Sequence, residues 1–101
     1  MINNVSAQAS LMGTVVDEND EKLPGALIQL TEKLYTTSDQ SGNYKIENIP
    51  SGNYTVTVSY MGFQTLHKTM KFVGNVNQVV NFELIEDSQQ LNTVVVTGKS
   101  S

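Results

Sequence analysis

Hydrophobic residues along this chain recur at every second position rather than at helical spacing. The clearest run is Tyr54 to Tyr60, where Tyr54, Val56, Val58 and Tyr60 alternate with Thr55, Thr57 and Ser59. Period two places neighbouring side chains on opposite faces of a pleated strand, so this run predicts a strand with one apolar face. The same logic predicts strands over Leu11 to Val16, Ala26 to Thr31, Leu34 to Thr37 and Tyr44 to Glu47, with Ala26, Ile28 and Leu30 sharing a face in the second. Leu66, Met70 and Phe72 share a face with Lys68 in a further strand. A last long strand, Val76 to Ile85, places Val76, Val80, Phe82 and Leu84 on one side. No segment has a convincing helical period.

Turn chemistry separates these runs. Pro24-Gly25, Asp39 to Gly42, Pro50 to Gly52, and Gly62 are the structural turn positions: proline presets φ, glycine takes conformations that side chains disfavour, and aspartate bonds backbone N–H groups two residues on. About seven strands with turns every 8–12 residues are the pattern of an antiparallel Greek-key sandwich, because two stacked sheets bury the apolar faces that a lone sheet leaves wet. The predicted class is all-β.

Composition narrows the function. At 101 residues there is room for one domain and a single two-layer core. Net charge is −4, and the six lysines are scattered with no arginine. Nucleic acid is therefore not an expected partner. Cysteine is absent, which removes disulfides, thiolate metal sites and a thiol nucleophile together. His67 is the single histidine, so neither a triad nor a histidine-rich metal site can be assembled. The Asp39 to Asn43 loop has oxygen-bearing side chains and a glycine, but it lacks the terminal carboxylate that a calcium loop uses. An Asx-type turn is the expectation there. No catalytic residue, metal or cofactor is predicted, and the aromatic residues fall mostly at core-phase positions.

The ends differ from the middle. Ser6-Ala7-Gln8-Ala9-Ser10 has small residues at the spacing of a signal-peptidase site, with cleavage expected after Ala9. Residues 1–9 are accordingly read as a signal-peptide remnant or an added start, expected to be disordered, and residues 10–85 as the sandwich. Glu86 to Gln90 is polar and is expected to be a linker. Beyond it, residues 91–101 hold a compact β-prone segment, Leu91-Asn92-Thr93-Val94-Val95-Val96-Thr97-Gly98. The residues alone leave two readings open: an eighth strand of the sandwich, or a detachable strand that pairs with a partner's sheet edge.

Several motifs occur in a defined order: Gly13-Thr14-Val15-Val16-Asp17, Leu23-Pro24-Gly25-Ala26, Ser38-Asp39-Gln40-Ser41-Gly42-Asn43-Tyr44, Ile49-Pro50-Ser51-Gly52-Asn53-Tyr54 and Val58-Ser59-Tyr60-Met61-Gly62-Phe63. Together they resemble the carboxypeptidase regulatory-like domain, over Leu11 to about Ile85. The resemblance implies a transthyretin-like sandwich. It also implies the N-terminal extension of a TonB-dependent outer-membrane receptor of Bacteroidota, including the SusC-like glycan importers, followed there by a TonB box, a plug and a barrel. Leu91 to Gly98 resembles that box, with Thr93 where an acidic residue is frequent.

On this resemblance the implied function is non-catalytic. The box is presented to the periplasmic C-terminal domain of TonB for energy-coupled nutrient import, at the periplasmic face of the outer membrane. The implied partners are TonB and the parent receptor's plug and barrel, and the isolated chain is expected to be soluble and monomeric. Two alternatives belong to other classes. One is a carbohydrate-binding or adhesin module using exposed aromatics such as Tyr35 or Phe63. The other is an accessory domain of a carboxypeptidase.

Overall fold

Residues 8–87 are described in the computed structural model, and they form two four-stranded sheets packed face to face. The first sheet is built on β1 (Gln8–Val16), which pairs antiparallel with β4 (Asn43–Pro50). On its other side β1 pairs with two short segments, β7 (Asn77–Val79) and β8 (Phe82–Glu83). The second sheet runs β3 (Tyr35–Thr37), β2 (Leu27–Gln29), β5 (Gly52–Ser59), β6 (Leu66–Phe72), all antiparallel. The all-β sandwich expected from the alternating pattern is thus the observed architecture.

Period-two patterning supplies the core between the sheets. Leu11, Val15 and Ile49 from the first sheet meet Ile28, Val56, Val58 and Phe72 from the second, all fully buried. Ala26, Ile28 and Leu30 are buried on one face as their spacing predicts, and Tyr54 packs edge-on against Phe72 at 5.8 Å between ring centroids. Among the described residues two polar side chains are buried, Ser10, whose hydroxyl donates to the Asn77 side-chain oxygen at 2.6 Å, and Ser38. Ser38 lies against the Leu23–Ala26 turn. Its hydroxyl accepts from Ala26 N–H at 2.9 Å and donates to the Leu23 carbonyl, so both of its buried hydrogen-bonding functions are used.

The expected final strand, Val76 to Ile85, departs from its prediction in three ways. It is broken into β7 and β8 around Val80 and Asn81, it runs parallel to β1, and Val76 is exposed. Gly13 is the physical reason for the break. A Cβ added there would lie 1.9 Å from the Val80 carbonyl oxygen, so the two backbones approach more closely than any side chain permits. Val80 N–H still donates to the Met12 carbonyl, but the Asn81 side-chain oxygen takes Thr14 N–H at 3.0 Å in place of a ladder bond. Tyr44, paired with Gly13 across β4 and β1, covers this point and donates its hydroxyl to the Val80 carbonyl at 2.6 Å. Its ring lies 5.7 Å from that of Phe82. One tyrosine therefore ties three neighbouring strands together.

The turns follow their chemistry. The Asp39 carboxylate accepts from Ser41 N–H and Asn43 N–H, both at 2.9 Å, so the expected Asx turn is present and the carboxylate is already committed to it. Asp17 does the same for Asn19 and Glu21 in the acidic loop. Between β4 and β5, Pro50 ends one strand and Gly52 begins the next, so the turn is a single residue, Ser51.

Two outcomes are expected from the Gly13–Tyr44–Val80 contact. Gly13→Ala forces overpacking against main chain and is expected to cost about 2–3 kcal/mol in chemical denaturation, whereas Gly74→Ala, with open space around it but a left-handed φ of +63°, is expected to cost about 1 kcal/mol from backbone strain alone. Burial holds the Tyr44 phenol protonated well above the usual tyrosine range. The unfolded chain releases this proton near pH 10 while the native chain keeps it, so stability falls as pH rises above about 10. Tyr44→Phe is expected to lower stability near neutrality by about 1 kcal/mol, the worth of one hydrogen bond, and to flatten this alkaline decline in thermal melts.

Candidate functional site

Among the described residues no cluster of His, Asp and Glu can hold a metal ion. His67 lies beside Thr57 with Nδ1 3.3 Å from the threonine hydroxyl, and it shares a surface groove with Lys68 and Glu83. The predicted turn residues occupy separate loops. Gly25 N–H donates to the Ser38 carbonyl next to Pro24, while Asp39 and Gly42 close the β3–β4 loop through Gly42 N–H to the Asp39 carbonyl. Pro50 and Gly52 flank Ser51. These positions shape the scaffold without converging on a common pocket.

The large exposed apolar groups include Val73, Val76 and Val79 on the β6–β7 turn and β7, and Ile85 near the last described residues. Tyr35 on the edge strand β3 is 58% exposed and Met61, between β5 and β6, is 93% exposed. Phe63 is partly buried against the core and packs on Tyr60, with ring centroids 5.6 Å apart. Of the two aromatics considered for sugar stacking, only Tyr35 is thus a large exposed hydrophobic. The lone ion pair among the described residues, Lys45 to Glu47 at 2.8 Å, is surface-exposed and worth at most about 1 kcal/mol.

The most specific feature lies at the last described residues, Ile85 to Asp87. Gly62 has φ of +88°, a conformation that suits glycine, and it closes the Tyr60–Phe63 turn in which Phe63 N–H donates to the Tyr60 carbonyl. This turn then receives the chain end. Gln64 N–H donates to the Ile85 carbonyl at 2.8 Å, Phe63 bridges Glu86, and Asp87 N–H donates to the Gly62 carbonyl at 2.9 Å. Glu86 and Asp87, predicted as the start of a linker, are therefore paired to the β5–β6 loop. Sequence reasoning missed this, because polar residues with no periodicity carry no strand signal. The exit is nevertheless held at a defined end of the sandwich, beside Met61 and Ile85.

The candidate binding residues Leu91, Asn92, Thr93, Val94, Val95, Val96, Thr97 and Gly98 lie outside the described residues, as do residues 1–7 of the expected N-terminal remnant. Gln8 and Ala9, expected to be disordered with it, instead begin β1 opposite Pro50 and Ile49, and Ala9 is buried because it falls on the core face of that strand.

Residues 11–96 match the family described as the CarboxypepD_reg-like domain. The chain is 32% identical over 98 residues to the TonB-dependent receptor P39 of Formosa agariphila, a match that covers 96% of this chain and 9% of that protein. The chain thus spans less than a tenth of this relative. Among solved structures, the fold is similar to the Bacillus anthracis TIE protein, with TM-score 0.66 at 20% identity over 79% of this chain and 17% of that one. It is also similar to catechol 1,2-dioxygenase from Acinetobacter sp. ADP1, with TM-score 0.66 at 13% identity over 96% of this chain and 58% of that one. At such identities these likenesses concern the fold alone. The match over residues 11–96, on a two-sheet sandwich whose turns carry the motifs read from the sequence, places the chain in the CarboxypepD_reg-like domain family.

Proposed function

We propose that this domain is the N-terminal extension of a TonB-dependent outer-membrane receptor, of SusC-like type. It lies at the periplasmic face of the outer membrane and presents Leu91 to Gly98 as a TonB box. The observation that carries this reading is the 32% identity to a TonB-dependent receptor, which extends over 98 residues and so takes in the tail as well as the sandwich.

The chemistry of the tail supports it. Val94-Val95-Val96 is β-branched throughout, a composition that favours the extended conformation. An extended segment can add a strand to the sheet of the TonB C-terminal domain, where main-chain bonds supply affinity and alternate side chains supply specificity. The role of the sandwich is positional: it fixes the start of the tail at the Gly62 turn. The domain is non-catalytic in this reading, and the parent receptor's plug and barrel perform the import.

The test is binding of the isolated TonB C-terminal domain to this chain by calorimetry. Binding is expected for the full chain and is expected to vanish when the chain is trimmed after Gln89. Equal affinity of the trimmed chain would overturn the assignment of the box.

A further inference from the structure

The two sheets approach each other along one side, between β6 and the β7–β8 strand, and among the described residues hydrogen bonds cross this seam at its ends. At one end lie the bonds from Gln64 to Ile85 and from Asp87 to Gly62. At the other, the Gln78 side-chain amide donates to the Lys71 carbonyl at 2.8 Å. Between these points no ladder joins β6 to β8.

Hydrogen-bond parity shows which groups face the gap. Val80 and Leu84 direct their N–H groups inward to Met12 and Val16 of β1. The alternate residues Asn81 and Glu83 therefore turn their main-chain groups toward the seam, as Ile85 visibly does. On β6 the Lys71 carbonyl faces the seam, so His67 and Thr69, at the same parity, face it too. Two strand edges with open main-chain groups thus flank a groove of about 310 Å³ lined by Leu66, Lys68, Val80 and Phe82 among others. Leu66 and Val80 are apolar and only partly buried there.

We propose that Leu91 to Thr97 of this same chain occupies the seam as an additional strand when no partner is present, and that a partner must displace it. The inference rests on the strand-addition reading of the tail given above. Reach and chemistry both select the tail as occupant. Asp87 is hydrogen-bonded at the mouth of the seam, so the tail begins there. Seven peptide links from Asp87 to Val94 span up to about 23 Å. Glu83 and Asn81 lie only about 13 and 20 Å back along the strand from Asp87. Val94 and Val96 share one strand face and match Leu66 and Val80 as apolar partners. A tethered segment is also presented at roughly millimolar effective concentration, which a free peptide or a second copy does not reach. Docking lowers the apparent affinity for TonB by the fraction of chains with the tail released.

The experiment is amide hydrogen exchange by NMR on the full chain, read at His67, Thr69, Asn81 and Glu83, with and without Val95→Pro in the tail. Exchange at these amides is expected to be at least about tenfold slower in the unsubstituted chain. Equal rates in the two chains overturn the proposal. So does protection that survives Val95→Pro and grows with protein concentration, which marks a second copy in the seam. A second variant, Thr69→Pro, removes a seam-facing N–H from an edge strand, where proline is tolerated, and is expected to tighten TonB binding by about threefold or more. Unchanged or weaker binding by a folded Thr69→Pro chain counts against docking. The two readings separate cleanly. Unprotected seam amides with intact TonB binding sink the docking alone, whereas protected amides with no TonB binding sink the box and leave the docking standing.

Discussion

β1 is flanked on both sides and is the strand through which the first sheet holds together, so the closeness of its neighbours sets the geometry of the domain. That closeness is decided at Gly13, where the Val80 carbonyl occupies the space of a Cβ and the Tyr44 ring closes over the gap. A side chain at position 13 would push the last strand away from β1. Phe82 and Leu84, which follow Val80 directly, would then lose their places in the core. The break between β7 and β8 is a consequence of this contact: the strand bends at Val80 and Asn81, and the Asn81 amide oxygen replaces the lost ladder bond at Thr14. Because the last strand also carries the exit, the position of the C-terminal tail depends on the same contact.

Much of this was legible in the sequence because it rests on local rules. Alternation over Tyr54 to Tyr60 identifies β5 and its inward Val56 and Val58, and the Asp39 turn follows from side-chain geometry within five residues. What the sequence did not disclose depends on groups far apart in the chain. Val76 fits the apolar phase of its strand, yet it is exposed, because the strand bends at Val80 in response to Gly13, more than sixty residues earlier. A glycine inside an alternating run is the one signal that pointed there, since it often marks close backbone approach. The parallel pairing of β7 and β8 to β1 is likewise invisible to periodicity, which is the same for either direction.

The tail showed the opposite imbalance. Leu91 to Gly98 is conspicuous as sequence and lies outside the described residues, while Glu86 and Asp87 are nondescript as sequence and are paired to the Gly62 turn. Strand-forming potential and strand placement are separate quantities, and a composition rich in β-branched residues reports only the first. Placement comes from which edge is open and within reach. Among the described strands, β6 and β8 present edges next to the chain exit, while β3 and β4 end the sheets on the opposite side.

The pairing of Ile85 to Asp87 with the Gly62 turn also sets the order in which the domain bears a load. Among the described residues, a pull that reaches Asp87 from its C-terminal side meets the Asp87–Gly62 bond first, then the Ile85–Gln64 bond, and only afterwards the bonds from Leu84 and Val80 to β1. Bonds reached in sequence rupture singly rather than together, so the first two act as a mechanical fuse. Their rupture releases about three residues, or roughly 10 Å of chain at strand spacing. The core ladder is untouched at that point, and the domain lengthens under tension before it begins to unfold.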